Sequence, residues 1–206
     1  MTFRKLSNAS ARDIVRYHHS LLADTVRTET YRNAIEETVR EGDVVVDIGC
    51  GSGILSFFAA RAGAKRVHAI DDGPVIELAR KLAHDNGLAD RITFIKGDAK
   101  SDPLPRGADA AVFSTVLTDH TPENVDLFLG KAYEALAPGT DLVIWEPAAI
   151  DLVRDGYHEW ELDLFPFIST WGPPTRYEDA VRRAGFRDIR SERVEEIRFL
   201  YTTAKR

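Results

Sequence analysis

Cysteine occurs only once in the 206 residues, at Cys50, and long apolar runs are missing altogether. A single cysteine excludes an intramolecular disulfide and is typical of intracellular proteins, so we expect a cytoplasmic location. No stretch approaches the roughly 18 apolar residues that a membrane-spanning helix needs. The N-terminus contains Arg4 and Lys5 but no apolar run, which argues against a signal peptide.

Zinc motifs and an excess of positive charge are also missing. The sequence has no CxxC, no HExxH and no spaced histidine cluster, so no metal site is predicted. Its 27 basic and 33 acidic residues leave a formal net charge of −6, whereas nucleic-acid-binding proteins usually carry a basic surface. We therefore expect neither a nucleic acid nor a membrane as a partner.

The residues that are present predict a globular α/β protein. Hydrophobic residues make up 44% and charged residues 29%, as in ordinary soluble domains. Apolar runs and helical patterns alternate along the chain. The predicted strands are 44–48, 66–70, 91–96, 108–115, 141–146, 186–193 and 197–204. The predicted helices are 28–40, 53–62, 74–86, 121–137 and 177–184.

This alternation is typical of parallel strands joined by right-handed helical crossovers. The last two strands follow each other without a helix, which predicts an antiparallel hairpin at the sheet edge. The expected fold is therefore Rossmann-like: a mostly parallel, seven-stranded sheet with helices on both faces and a C-terminal antiparallel hairpin.

A glycine-rich loop, Asp47-Ile48-Gly49-Cys50-Gly51-Ser52-Gly53, follows the first strand and opens a helix. Ligands of open parallel sheets bind at this position, and glycines let them touch bare backbone. A dinucleotide fingerprint needs a third glycine, but Ile54 or Ser56 stands there in the two registers. No phosphate-binding GxxxxGK[ST] loop is present either. The spacing suits a ligand that has adenosine but no phosphate, with Asp71 at the end of the second strand accepting ribose hydroxyls.

The segment Val45 to Ser56 (VVDIGCGSGILS) resembles the first motif of class I S-adenosylmethionine-dependent methyltransferases. The resemblance implies S-adenosylmethionine as the cofactor and S-adenosylhomocysteine as the product. It also implies one role for each matched position. The methionine part would contact Asp47, Gly49, Gly51 and Gly53; the ribose would contact Asp71; the adenine would contact Asp98 and Ala99; and Ser114 would lie beside the transferred methyl group. Cys50 and Asp72 are also predicted to belong to the cofactor site. The alternative for Asp98 is the cap of a turn.

Part of the chain, roughly residues 18–100, is also similar to protein arginine methyltransferases. The similar segments are His18 to Ile35 (HHSLLADTVRTETYRNAI), 50–64 and 87–97. In that family an arginine matching Arg27 pairs with the cofactor carboxylate, as a guanidinium can do bidentately. The similarity predicts a helical cap over residues 1–40 that contributes to the cofactor site, followed by a class I methyltransferase domain over 41–206.

The similarity ends where the arginine family binds its substrate. The first of the family's two clamping glutamates falls on Ser114, and the second falls on Glu123, which is equally well explained as an acid in the first turn of a helix. The family's Tyr-Phe-x-x-Tyr motif is absent, and its β-barrel and dimerisation arm have no room in 206 residues.

Candidate acid–base residues follow the fourth strand. Asp119 and His120 lie where a group removing the acceptor's proton is expected, and His158 is a second candidate. The long segment at about 147–174 is rich in aromatic residues and is predicted to be a lid.

The function that fits these features is methyl transfer from S-adenosylmethionine to a nitrogen or oxygen of a small molecule. Two alternatives stay open: a reduced arginine- or guanidine-directed N-methyltransferase, and a non-catalytic nucleotide-binding module or NAD-type oxidoreductase. A homodimer is also left open.

Overall fold

The computed structural model describes residues 11–114, 116–148, 177–195 and 199–206. The described chain forms two compact units, which meet in sequence at Asp109 and Ala110. The predicted lid and His158 lie outside the described residues. None of the described helices is long and apolar enough to cross a membrane.

The first unit begins with two helices, α1 (Ala11–Ala23) and α2 (Thr25–Thr38). Asp24 separates them and caps α2, because its Oδ1 accepts a hydrogen bond from the Arg27 N–H at 3.0 Å. The sequence predicts α2 with bounds two to three residues further along, and it includes α1 only within the helical cap that the similarity predicts over residues 1–40. Two apolar side chains of α1, Val15 and Leu22, are exposed.

The rest of this unit is a parallel three-stranded sheet in the order β1-β2-β3 with helices between the strands. The elements are β1 (Val44–Ile48), α3 (Ile54–Arg61), β2 (Arg66–Asp71), α4 (Val75–Asp85) and β3 (Ile92–Lys96). Small buried residues such as Ala60, Ala69 and Ala79 allow the helices to pack closely against the sheet. Because Ile48 pairs with Ile70 and Asp71 pairs with Lys96, the three strands end together at one edge.

The second unit contains most of a four-stranded sheet in the order β4-β5-β7-β6. Its elements are β4 (Ala108–Ser114), a 3-10 turn (Leu117–Asp119), α5 (Pro122–Ala135), β5 (Leu136–Pro147), α6 (Glu178–Arg183), β6 (Arg187–Val194) and β7 (Phe199–Lys205). Strand β7 runs antiparallel to both β5 and β6. Thr121 caps α5 and Pro122 occupies its first turn, as the sequence predicts.

The fold is α/β and Rossmann-like, with a parallel sheet and flanking helices, as predicted. The described residues contain seven strands, and the last two pair antiparallel. The strands are divided between two sheets, and their union in a single seven-stranded sheet stays a prediction. One boundary was wrong: β5 begins at Leu136, not at 141. The extended chain continues past Gly139 because Gly139 and Thr140 exchange backbone hydrogen bonds with Arg206.

Candidate functional site

The glycine loop leaves the end of β1 and is held against the end of β2. The N–H groups of Gly49 and Cys50 both donate to the carbonyl oxygen of Ile70, at 2.8 and 3.0 Å. Gly49, Gly51 and Gly53 have φ angles of 76°, 53° and 83°, a left-handed conformation that glycine adopts most readily. A Cβ at Gly49 would meet no atom within 4 Å, so the backbone there borders open space.

Asp71 accepts hydrogen bonds from two segments of the chain, the glycine loop and the residues between β2 and α4. Its Oδ2 accepts a hydrogen bond from the Gly51 N–H at 2.9 Å, and its Oδ1 accepts one from the Gly73 N–H at 2.7 Å. An ionised carboxylate has about four acceptor positions, so two are left for ribose hydroxyls. The geometry therefore gives Asp71 a role in shaping the loop that the sequence does not predict.

Asp47 lies beneath the loop and is bound by a buried hydroxyl. Its Oδ2 accepts a hydrogen bond from Ser56 Oγ, in the first turn of α3, at 2.6 Å. Burial raises the pKa of the Asp47 carboxyl; the hydrogen bonds from Ser56 oppose this shift, and the nearby Asp71 carboxylate adds to it. Sequence reasoning missed Ser56, although a hydroxyl three residues after the last loop glycine was a visible signal.

The charge around the loop fits the implied cofactor. Two carboxylates lie at the glycine loop: Asp47 precedes it in the chain, and Asp71 accepts a hydrogen bond from the Gly51 N–H. A diphosphate would bring negative charge against them, whereas S-adenosylmethionine brings a sulfonium and an ammonium. The loop residues therefore fit S-adenosylmethionine better than a dinucleotide.

His18 is a second residue at the loop that the sequence analysis did not single out. A Cβ at Gly51 would lie 2.6 Å from Cε1 and 3.0 Å from Nδ1 of His18, so the imidazole of α1 packs directly on the glycine. Burial lowers the pKa of His18, and the Asp71 carboxylate opposes this shift. The available signal was its place at the start of the segment that resembles arginine methyltransferases.

Arg27, Asp72, Asp98 and Ala99 are less closely associated with the loop. The Arg27 guanidinium lies over the Tyr31 ring, 5.0 Å from its centroid. Asp72 is exposed after β2. Asp98 and Ala99 follow β3, where Asp98 Oδ1 accepts a hydrogen bond from the Lys100 N–H at 2.8 Å, so Asp98 caps a turn. Their predicted roles toward ribose, adenine and the cofactor carboxylate stay predictions.

Cys50 is buried within the loop. Burial raises the pKa of its thiol, and the carboxylates of Asp47 and Asp71 raise it further. The thiol therefore stays protonated at neutral pH and acts as a small apolar side chain.

The predicted acceptor-side residues lie in the second unit, in and beside the turn after β4. Ser114 is the last residue of β4 and is half-buried, and Asp119 ends the 3-10 turn. His120 follows at once; its ring centroid lies 4.9 Å from that of Phe128 on α5, and its N–H donates to the Leu117 carbonyl at 3.1 Å. The roles of Ser114, Asp119 and His120 at the acceptor stay predictions.

A buried carboxylate, Glu146, binds the same turn. Its Oε1 accepts hydrogen bonds from the N–H groups of Val116 and Leu117, at 2.8 and 3.0 Å. Its Oε2 accepts from the N–H and hydroxyl of Thr118, at 3.3 and 2.7 Å. Sequence reasoning missed Glu146, although it is an acid in the otherwise apolar run LVIWEP.

No group of three histidine, cysteine or carboxylate side chains in the described ranges is close enough to hold a metal ion. The site chemistry of these ranges comes from hydrogen-bonding groups, carboxylates and imidazoles.

Comparison with known proteins gives a family match for a little under half of the chain. Residues 45–139 match the model of a methyltransferase domain. This segment includes the glycine loop, Asp71 and the turn with Asp119 and His120.

Two curated relatives match about the same part of the chain. Ribosomal protein arginine N-methyltransferase rmt3 of Schizosaccharomyces pombe is 48% identical over 92 residues, which are 44% of this chain and 17% of that protein. Protein arginine N-methyltransferase 1 of Saccharomyces cerevisiae is 46% identical over 90 residues, 43% of this chain and 26% of that protein. The match thus spans about a quarter or less of these relatives.

Solved structures agree over a larger part of the chain. Mitomycin 7-O-methyltransferase MmcR has a TM-score of 0.73 at 22% identity, with 100% of this chain and 61% of that one covered. At this identity the likeness shows the fold alone. The matched methyltransferase-domain model, the arginine methyltransferase relatives and this fold together support a class I S-adenosylmethionine-dependent methyltransferase.

Proposed function

We propose that this protein transfers a methyl group from S-adenosylmethionine to a nitrogen or oxygen of a small molecule. The observation that carries the cofactor half of the proposal is the glycine loop with left-handed φ angles, whose Gly51 N–H donates a hydrogen bond to Asp71 at the end of β2. When bound, the sulfonium supplies an activated methyl group, so the protein mainly has to align the acceptor and exclude water. Arg27, Asp47, Asp71 and His18 would bind and orient the cofactor.

The acceptor half of the proposal rests on the residues where arginine methyltransferases clamp a guanidinium. Ser114 stands in place of the first glutamate. The carboxyl of Glu123 has a lowered pKa because it accepts hydrogen bonds from its own N–H and from the Thr121 hydroxyl. These contacts are also those of an acid in the first turn of α5, and a two-carboxylate guanidinium clamp lacks the first of its two members.

A ligand comparison tests the cofactor half. S-adenosylhomocysteine at 100 times its Kd is expected to stabilise the protein by about 2.7 kcal/mol, and NAD at the same concentration by nothing measurable. Thermal unfolding measures both. Stabilisation by NAD alone would support the oxidoreductase alternative and overturn the proposal.

An acceptor panel tests the other half. Tritium from methyl-labelled S-adenosylmethionine is expected on a compound of a panel of small amines and phenols and not on a peptide with repeated Arg-Gly units. Label on the peptide alone would support the arginine-directed alternative, which is favoured by the 48% identity to rmt3 over 92 residues.

His120 is proposed to accept the proton of an oxygen acceptor. His120→Ala is expected to lower turnover on the order of 100-fold, because general-base catalysis contributes at least this much, while the Kd of S-adenosylhomocysteine stays the same. The matched control is His84→Ala, an exposed histidine near the end of α4. Full turnover in His120→Ala would remove His120 from the proton transfer.

A further inference from the structure

Among the described residues, Glu146 is the one acidic residue whose surface is fully buried, with 0% exposed. Burying a carboxylate is costly unless hydrogen bonds replace the lost water. Four donors do so here, three backbone N–H groups and the Thr118 hydroxyl, and all of them come from Val116, Leu117 and Thr118. The carboxylate therefore binds one short segment of the chain.

The N-terminus of the 3-10 turn has no side-chain cap from its own N-cap residue, so an acceptor has to come from elsewhere in the chain. Val116 precedes the turn and cannot accept a hydrogen bond with its side chain. A serine or aspartate at that position would cap the turn locally without burying a charge. The cap comes instead from a residue 28 to 30 positions further along the chain, at the end of β5. This arrangement makes the position of the turn depend on β5.

The same network extends to the start of α6. Thr118 Oγ1 lies 3.4 Å from the hydroxyl of Tyr177, which is 1% exposed and precedes α6. The turn is thus linked to two further elements by buried polar groups, and a small displacement would leave several of them without partners.

We propose that Glu146 is the positioning residue of the turn after β4 and thereby orients His120 toward the methyl acceptor. This inference rests on the proposed function for its consequence in catalysis. Glu146 itself does not touch the reacting groups; it acts through the backbone of 116–118. Burial raises the pKa of its carboxyl, and the four hydrogen bonds oppose this shift.

Two substitutions separate this role from general stability. Glu146→Gln keeps Oε1 as the acceptor for Val116 and Leu117, and its amide can donate to the Thr118 hydroxyl, whereas the Thr118 N–H loses its acceptor. Glu146→Leu removes every acceptor at nearly equal volume. The control pair is Glu192→Gln and Glu192→Leu, at an exposed position of β6 in the same sheet.

Amide hydrogen exchange provides the first readout. In Glu146→Leu the N–H groups of residues 116–118 are expected to exchange about 100-fold faster than in the wild type, whereas the amides of β1–β3 keep their rates. Glu146→Gln should stay within about tenfold of the wild type. Equal exchange at 116–118 in the wild type and Glu146→Leu would overturn the proposal, whatever the enzyme's acceptor is.

Kinetics with the panel compound that the wild type labels provide the second readout. Glu146→Leu is expected to lower kcat about 100-fold with the Kd of S-adenosylhomocysteine unchanged, and Glu146→Gln to restore most of kcat. Unchanged kcat in a leucine variant with loosened amides would overturn the catalytic role. If the wild type labels no compound, the proposed function fails, and the exchange experiment still decides the positioning.

If Glu146→Leu does not fold, Thr118→Val replaces it. This change keeps the shape and removes the hydroxyl that donates to Oε2 at 2.7 Å. A loss of kcat of about tenfold with intact cofactor binding supports the proposal, and full kcat contradicts it.

Discussion

Asp71→Ala is expected to raise the Kd of S-adenosylhomocysteine by about 100-fold or more, because hydrogen bonds to a charged group contribute about 1.5–3 kcal/mol each. The substitution removes the acceptor of the Gly51 and Gly73 N–H groups, so the loop loses two of its contacts. It also removes the acceptors proposed for the ribose. Isothermal titration calorimetry measures the change directly.

Two further variants define the origin of this loss. Asp71→Asn keeps one acceptor oxygen and should give an intermediate Kd, since one of the two loop contacts survives. Asp90→Ala removes an exposed carboxylate of the same unit and should leave the Kd unchanged. An Asp71→Ala protein that binds with the wild-type Kd would show that neither the loop contacts nor a ribose contact contributes to affinity.

Cofactor affinity is expected to fall at acidic pH because of Asp47. Burial raises the pKa of this carboxyl, so it becomes protonated at a higher pH than an ordinary aspartate. If the ionised form pairs with the ammonium of S-adenosylhomocysteine, affinity is constant above the raised pKa and falls about tenfold for each pH unit below it. Titration calorimetry between acidic and neutral pH measures this dependence.

Substitutions at the pair Asp47 and Ser56 test the assignment. Asp47→Asn should weaken binding at neutral pH and remove the pH dependence. Ser56→Ala removes a hydrogen bond that lowers the pKa of Asp47, so the fall in affinity should move to higher pH. Ser101→Ala, at an exposed position, serves as the control. An unchanged pH profile in Asp47→Asn would assign the titration to another group.

The cofactor half of the site was predictable because its signals are local. Three glycines in five residues mark a loop with positive φ angles, and Asp71 ends the strand beside β1 in a parallel sheet. The order of strands and helices follows from apolar runs of limited length, and most predicted bounds agree with the structure within about three residues. These features depend on neighbours in sequence or on a repeated topology.

The remaining features depend on contacts between distant residues. His18 of α1 contacts Gly51, which lies beyond α2 and β1 in the sequence, and Glu146 binds Thr118, 28 residues before it in the chain. Periodicity carries no information about such pairs. For Asp98 the local sequence is ambiguous, because an aspartate after a strand is typical of both a ligand contact and a turn cap. The structure shows the turn cap.

Because Cys50 is buried and protonated, the protein suits site-specific labelling with spectroscopic probes at an introduced cysteine. Since this thiol is the only one in the sequence and its pKa is raised by burial, maleimide reagents should modify it slowly. A cysteine introduced at an exposed site would then take a fluorophore selectively, and movements of either unit could be followed by energy transfer in an otherwise native protein.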